Sequence, residues 1–485
     1  FQETNDYLRA YYNAYANQYD FGGDPHAYSI NDEKSKRYSI EARLTSPSDS
    51  DSRWSWIAGA FYNKTEIGPY SFTANVSGLS DNCNEYYAAA PGCKGQFTYA
   101  SYLHYYYFGT LDKLSDNWWT GVYHTELKQK AVFGELTFDI TENLSITAGG
   151  RWYDIEDERL TLNATLVNPI GTTHVNCGTQ ADRDSWQIDG IPVAGLDTCY
   201  TNETAKSSES GFVPKLNATY KFNDDKMVYF TYSEGFRAGG ANAGKPSSVF
   251  GAGNKYHTYK SDDLLNYEAG TKTTWADGRF QFNAAAFLMK WKHIQVEATN
   301  PDATVFSLGI VNFPEAEIKG FEADFSVIPV ENLTLSGNLG YNDAALSKSA
   351  VLFPGGSDPK VASKGTRLPL VPKWKGSLTA RYNFNGELLH ARPYVMGVYQ
   401  YQGNSVNSLQ GIQSIVADVG VRTQPSYSIT NLRVGLEHDN WTATLYVDNV
   451  FNTYGKQLYN DRWVKTRLTT NRPRTFGINY RYTWR

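Results

Sequence analysis

The feature that most constrains this chain is a strict alternation of apolar and polar residues, held over long runs. From Asn332 to Asn342, Leu333, Leu335, Gly337, Leu339 and Tyr341 alternate with Asn332, Thr334, Ser336, Asn338, Gly340 and Asn342. Between Lys373 and Phe384, Trp374, Gly376, Leu378, Ala380, Tyr382 and Phe384 oppose Lys373, Lys375, Ser377, Thr379, Arg381 and Asn383. Leu144 to Tyr153 repeats the pattern. Side chains of a strand point alternately to its two faces, so each run has one apolar and one polar face. Runs of about ten residues exceed the ~5–6 of an ordinary strand and match the ~9–11 that a membrane-crossing strand needs.

The connections between runs also alternate. Short polar turns are expected at Ser46–Arg53, Thr141–Asn143, Asn223–Lys226, Ala276–Gly278, Val330–Asn332, Asn385–Glu387 and His438–Asn440. Between them lie long stretches at 67–123, 161–205, 239–262, 343–368, 403–420 and 453–470. The pattern predicts about sixteen antiparallel strands in one continuous domain, with short turns at one end and long loops at the other, the rule for transmembrane β-barrels. A soluble sandwich also alternates, with its apolar faces inward. Here the polar faces carry large charged groups, Arg151, Glu135, Glu322, Asp324, Arg381, Arg392, Arg433 and Arg481, which suit a wet or plugged lumen. Amphipathic rings sit near strand ends, at Trp54, Trp56, Trp152, Trp374, Trp441 and Trp484, as at a membrane interface. The apolar faces are therefore expected to point outward into lipid.

Composition is consistent with this reading. Mean hydropathy is −0.50 and no apolar run reaches the ~18 residues of a membrane helix, yet the chain of 485 residues is 15% aromatic, with 36 Tyr, 24 Phe and 12 Trp. Only every second strand residue meets lipid, so a barrel's average hydropathy stays low. The aromatic content excludes a disordered chain. A net charge of −5 excludes a basic nucleic-acid binder.

The last strand carries the most specific local pattern. In Arg474–Arg485, Phe476, Ile478, Tyr480, Tyr482 and Trp484 share one face, and Gly477, Asn479, Arg481, Thr483 and Arg485 the other. Thr475, Gly477, Tyr480, Tyr482 and Trp484 at this spacing resemble the C-terminal signal by which the outer-membrane barrel assembly machinery recognises its substrates. One departure is Arg485, which follows the aromatic. Four further segments resemble the barrel of TonB-dependent outer-membrane receptors: Ala131 to Tyr153, Val228 to Gly240, Asn266 to Phe287, and Leu445 to Asn452 with Tyr454. The resemblance implies an all-β transmembrane antiparallel barrel whose sixteen or so strands here are the C-terminal part of about 22. It also implies residence in the outer membrane of a Gram-negative bacterium, in contact with lipid and lipopolysaccharide. Function would be active, TonB-coupled import of a scarce small-molecule nutrient, a ferric siderophore being the default expectation. A plug domain and a TonB box are not recognisable, so the resemblance places them upstream of Phe1. A passive porin-type channel and an adhesin or phage-receptor barrel are the alternatives.

No catalytic constellation is present. The eight histidines are scattered, no nucleophile-elbow order occurs, and no metal or cofactor is expected. The stretch 67–123 is the best ligand candidate. It holds Tyr102, His104, Tyr105, Tyr106, Tyr107, Trp118 and Trp119, whose rings can stack on a ligand while their polar atoms hydrogen-bond to it. The same cluster could equally pack the loop against the barrel mouth. Cys83, Cys93, Cys177 and Cys199 admit 3 connectivities. The two local pairs, Cys83–Cys93 and Cys177–Cys199, need the least long-range organisation and fit an oxidising compartment. Asp182, Asp184, Asp189 and Asp197 between the latter read as a solvated acidic loop, because Arg183 disfavours a cation there. The inward charges of both signs either steer an anionic ligand or pair with a plug.

Overall fold

A computed structural model describes residues 2–4, 27–47, 52–76, 117–165, 187–188, 191–192, 200–242, 258–299, 308–351, 361–409, 412–413, 418–419, 421–460 and 467–484. Cys83, Cys93, Cys177, Cys199, Tyr102, His104, Tyr105, Tyr106, Tyr107 and the acidic loop lie outside the described residues.

The long alternating runs form one antiparallel sheet. Its strands are β1 (Gln2–Thr4), β2 (Ala27–Asp32), β3 (Ser35–Thr45), β4 (Trp54–Val76), β5 (Asn117–Asp139), β6 (Leu144–Thr165), β7 (Tyr200–Asn223), β8 (Lys226–Arg237) and β9 (Asp262–Trp275). They continue as β10 (Phe280–Thr299), β11 (Leu308–Val330), β12 (Leu333–Leu346), β13 (Trp374–Asn383), β14 (Arg392–Gln402), β15 (Tyr427–His438), β16 (Trp441–Asp448) and β17 (Thr475–Tyr482). Each pairs with its neighbour in sequence, except that β2 and β3 both lie along β4, opposite Ser71–Val76 and Ile57–Ile67 respectively. They thus form one interrupted row, and the sheet has sixteen rows, the expected number. Among the described residues, β3 pairs only with β4 and β17 only with β16.

The apolar faces point outward. Val132, Trp152, Phe212, Leu216, Phe230, Leu378, Leu432 and Leu445 are exposed large hydrophobics, as are Phe476, Ile478 and Tyr480 of the last strand. In water this would be an aggregating surface; in a bilayer it is the lipid-facing band. Aromatic pairs mark its short-turn edge: Trp54–Phe138 at 4.3 Å, Tyr220–Phe222 at 5.0 Å and Tyr482–Trp484 at 4.7 Å between centroids.

The opposite face is polar and interlocked. Glu135 meets Lys215 at 2.9 Å, Thr137 and Thr147 share a hydrogen bond of 2.7 Å, and Asn217 donates to Thr231 at 2.8 Å. Rings on this face lie flat across a residue without a side chain on the next strand: Tyr229 across Gly270, Tyr394 across Gly435 and Tyr446 across Gly477. Such pairs fill the gap a strand glycine leaves.

Two expectations about connections need correction. The strands run on, so β4 ends at Val76 and β5 begins at Asn117; residues 67–76 and 117–123 of the loop expected at 67–123 are strand. The Asn385–Glu387 turn is also misplaced. Asn385-Gly386 is a strong hairpin signal, but the hairpin continues to Leu388–Ala391, which exchange backbone hydrogen bonds of 2.8 and 3.1 Å. Its two central residues, Leu389 and His390, have φ of 55° and 60°. Holding a leucine there costs about 1–2 kcal/mol.

Candidate functional site

The inner face at the long-connection end departs most from a plain barrel wall. Pairing of β8 with β7 stops at Ser233–Lys215, while pairing of β8 with β9 runs on to Arg237–Asp262. The freed hairpin bends over the lumen face of β5–β7. Phe236 stacks on Tyr153 with centroids 3.7 Å apart and planes at 10°. Phe236 and Ala238 pack against buried Ala131, Tyr153 and Ile155 and against Phe61, Leu127 and Val213. Tyr153 and Val213 lie on the face opposite to Trp152 and Phe212, so this strap is inside the wall. Gly239 permits the close approach: a Cβ there would sit 2.5 Å from the Tyr259 carbonyl oxygen.

Polar contacts fasten the strap. Asp262, 3% exposed, accepts from Arg237 Nε at 3.0 Å and from its Nη2 at 2.5 Å. Gln295 Nε2 donates to the Ala238 and Lys260 carbonyls at 2.8 and 3.1 Å. The Gly239 N–H donates to Glu209 at 3.2 Å. Asn242 exchanges two 2.8 Å bonds with the Ile310 backbone.

Facing inward from β10–β12 at the same end is a second apolar cluster. It contains Phe313, Ala316, Ala344, Leu346, Ala350, Ala362 and Leu368, with Trp291, Ile318 and Val371 beside it. Nearer the short turns the inner face is polar, with a recess of about 460 Å³ lined by Glu135, Lys215, Tyr229, Thr231, Glu268 and Lys272. The inner face thus passes from two buried apolar clusters at the long-connection end to an open, hydrogen-bonding wall nearer the short turns.

Charge on the wall is largely self-compensated. Arg381 meets Glu437 at 2.5 Å and Arg433 meets Asp448 at 3.2 Å; Glu268 accepts from the Tyr229 hydroxyl at 2.8 Å. Among the described residues, Arg151, Lys272 and Lys375 have no carboxylate partner. The Arg151 guanidinium lies 5.4 Å from the Phe61 ring centroid.

Of the expected ligand-binding residues, Trp118 and Trp119 are described, and they lie in β5 and not in a loop. Trp119 pairs in the ladder with Ala74 and Thr165. Thr475, Gly477, Tyr480 and Tyr482 occupy β17, with Trp484 two residues beyond it. The Thr475 hydroxyl donates to the Pro473 carbonyl at 3.0 Å, Gly477 lies beneath the Tyr446 ring, and Tyr480 and Trp484 face outward at 62% and 86% exposure. The strap anchors Phe236, Arg237 and Asp262 were not identifiable as site residues from the sequence. Their one signal was the glycine-rich stretch Gly235-Phe-Arg-Ala-Gly-Gly240.

The antiparallel meander, the outward apolar band, the aromatic edge and the one-sided long connections define a transmembrane β-barrel of the outer-membrane type. Residues 1–450 match the family model described as "TonB dependent receptor-like, beta-barrel". The chain belongs to that family, whose members are receptors in the Gram-negative outer membrane and not enzymes. Among curated proteins it is similar to the metal-pseudopaline receptor CntO of Pseudomonas aeruginosa (strain UCBPP-PA14), 26% identical over 289 residues, covering 58% of this chain and 35% of that one. Among solved structures it is similar to the ferric yersiniabactin uptake receptor FyuA from Yersinia pestis, with TM-score 0.63, 15% identity, and coverage of 94% of this chain and 56% of that one. The ferric citrate transporter FecA gives TM-score 0.60 and 14% identity over 95% of this chain and 56% of that one. The chain therefore spans about a third of the first curated relative and just over half of these structures.

Proposed function

We propose that this chain forms part of the barrel of an active importer that captures a metal chelate, a ferric siderophore by default, at its long-connection end. Entry to the periplasm then follows a TonB-coupled rearrangement of a plug. The observation that carries this reading is the graded inner face: two packed apolar clusters brace the long-connection end, and the wall beside them holds Arg151, Lys272 and Lys375 with no carboxylate partner among the described residues. A chelate with net negative charge suits that wall, since the cations draw it inward. The names of CntO, a metal-pseudopaline receptor, and of FyuA, a ferric yersiniabactin receptor, support the substrate class.

In this reading residues 1–485 are the C-terminal part of the receptor's barrel. The half-length coverage of its structural neighbours and the two sheet edges without a partner among the described residues support that. Tyr102, His104, Tyr105, Tyr106, Tyr107, Trp118 and Trp119 are proposed ligand contacts, and the four cysteines staples of the mouth. Thr475, Gly477, Tyr480, Tyr482 and Trp484 are the proposed recognition strand for the assembly machinery, and lipopolysaccharide the outer-leaflet neighbour. The test is uptake of radiolabelled metal chelates by cells expressing the whole receptor, with energy coupling intact or removed. The proposal expects saturable uptake that disappears in a deletion strain and without coupling. Uptake that survives loss of coupling would identify a passive channel; unchanged uptake of every chelate on deletion would identify a barrel with no transport role.

A further inference from the structure

The hairpin tip between β13 and β14 breaks a local rule that its own sequence could have obeyed. Asn385-Gly386, the natural occupants of a tight hairpin turn, are spent in a bulge: Phe384 still pairs with Pro393, its N–H donating to that carbonyl at 2.9 Å, and three residues, 385–387, oppose Arg392 alone. The turn itself is made by Leu389 and His390, both at positive φ. Two other turns at this end also use positive φ, at Ala276, Asp277 and Gly278 and at Asn332. The result is two exposed leucines at the tip, Leu388 at 56% and Leu389 at 73%, beyond exposed Phe384. A strained backbone that displays apolar side chains requires a compensating contact.

We propose that this tip is a lipid anchor: Leu388 and Leu389 enter the boundary between headgroups and acyl chains of the periplasmic leaflet. Continuity decides for lipid. Phe384 lies on the outward face with Tyr382, the two rings packing edge to face at 5.0 Å, so the leucines extend the aromatic edge of the lipid-facing band. Glu387, His390 and Arg392 flank the pair, where polar groups belong at headgroup level. The bulge is tied to the neighbouring β11–β12 turn by a hydrogen bond from Asn332 to Asn385, which fixes the direction of the tip.

The experiment places a benzophenone amino acid at Leu389, at Leu388, or at Asp439 in the neighbouring turn, in the full-length receptor in outer membranes. Radiolabelled phospholipid supplies the readout, and heat-modifiable migration verifies the folded barrel of each variant. The proposal expects phospholipid adducts at 388 and 389 in several-fold higher yield than at 439. Equal yields at the three sites would overturn it, as would predominant adducts with a periplasmic protein or with a second copy of this chain.

Discussion

The ring-over-glycine pair of Tyr394 and Gly435 makes a sharp energetic prediction. An alanine Cβ at 435 would lie 2.5 Å from Cε1, 2.7 Å from Cζ and 2.7 Å from Oη of Tyr394. A ring edge can swing aside cheaply when it is free, but this one is not. Tyr394 is 6% exposed, its hydroxyl shares a 2.8 Å hydrogen bond with Thr444, and the Arg381 guanidinium lies 4.2 Å from its centroid. Displacing it forfeits about 1 kcal/mol for the hydrogen bond and about 0.5–1 kcal/mol for the cation–ring contact, with overpacking adding about 1–3 kcal/mol. Against this, alanine is better than glycine in a strand by roughly 0.5–1 kcal/mol. Gly435→Ala is therefore expected to destabilise the barrel by about 1.5–4.5 kcal/mol. In a Tyr394→Ala background the clash is gone, and the same substitution should be neutral or mildly stabilising. The assay is a double-mutant cycle from reversible urea unfolding of the full receptor in lipid vesicles, followed by tryptophan fluorescence. An equal effect of Gly435→Ala in both backgrounds would refute the reasoning.

Other predictions follow from the strap and from the charged strand tops. Asp262→Asn removes the acceptor that holds Arg237 and should cost the strap about 1.5–3 kcal/mol, read as faster limited proteolysis between 235 and 262 with unchanged heat-modifiable migration. Phe236→Ala should loosen the same segment, and a proteolysis pattern identical to wild type would contradict the inward packing. Above the lipid band, hydrogen bonds from Lys128 and then Lys64 hold the Glu126 carboxyl down to about 2. A depressed carboxylate stabilises the fold above its unfolded value and loses that contribution as pH falls through the folded one. Hydrogen-exchange protection of 123–130, corrected for intrinsic rates, should accordingly survive at pH ~4, an ordinary carboxylate value, and fail only towards pH 2; Glu126→Gln should abolish this dependence.

Strand number, strand faces and the two unlike ends were legible in the sequence because each follows from one-residue periodicity and turn chemistry. Leu333–Tyr341 and Phe476–Trp484 carry that information locally. Register is not local. Alternation puts Glu135 on an inner face, but only the pairings of β5 with β6 and of β6 with β7 bring Lys215 to it. The Asn385-Gly386 signal predicted a turn that tertiary context moved four residues along. The strap was the least legible element: nothing in Phe236 or Asp262 alone says that the hairpin leaves β7 at Ser233 and folds inward. That outcome depends on Tyr153, Glu209, Gln295 and the Ile310 backbone arriving from other strands.

The most direct test of the central claim, a barrel wall with its apolar face in lipid and its polar face in the lumen, is a nitroxide scan along 475–482 of the assembled receptor in a bilayer. Collision rates with oxygen, which concentrates in lipid, and with a water-soluble nickel chelate are measured at each position. The account predicts a two-residue period: oxygen contact peaks at Phe476, Ile478 and Tyr480, and is low at Gly477, Asn479 and Arg481. A flat profile, or one with the two sets exchanged, would contradict it.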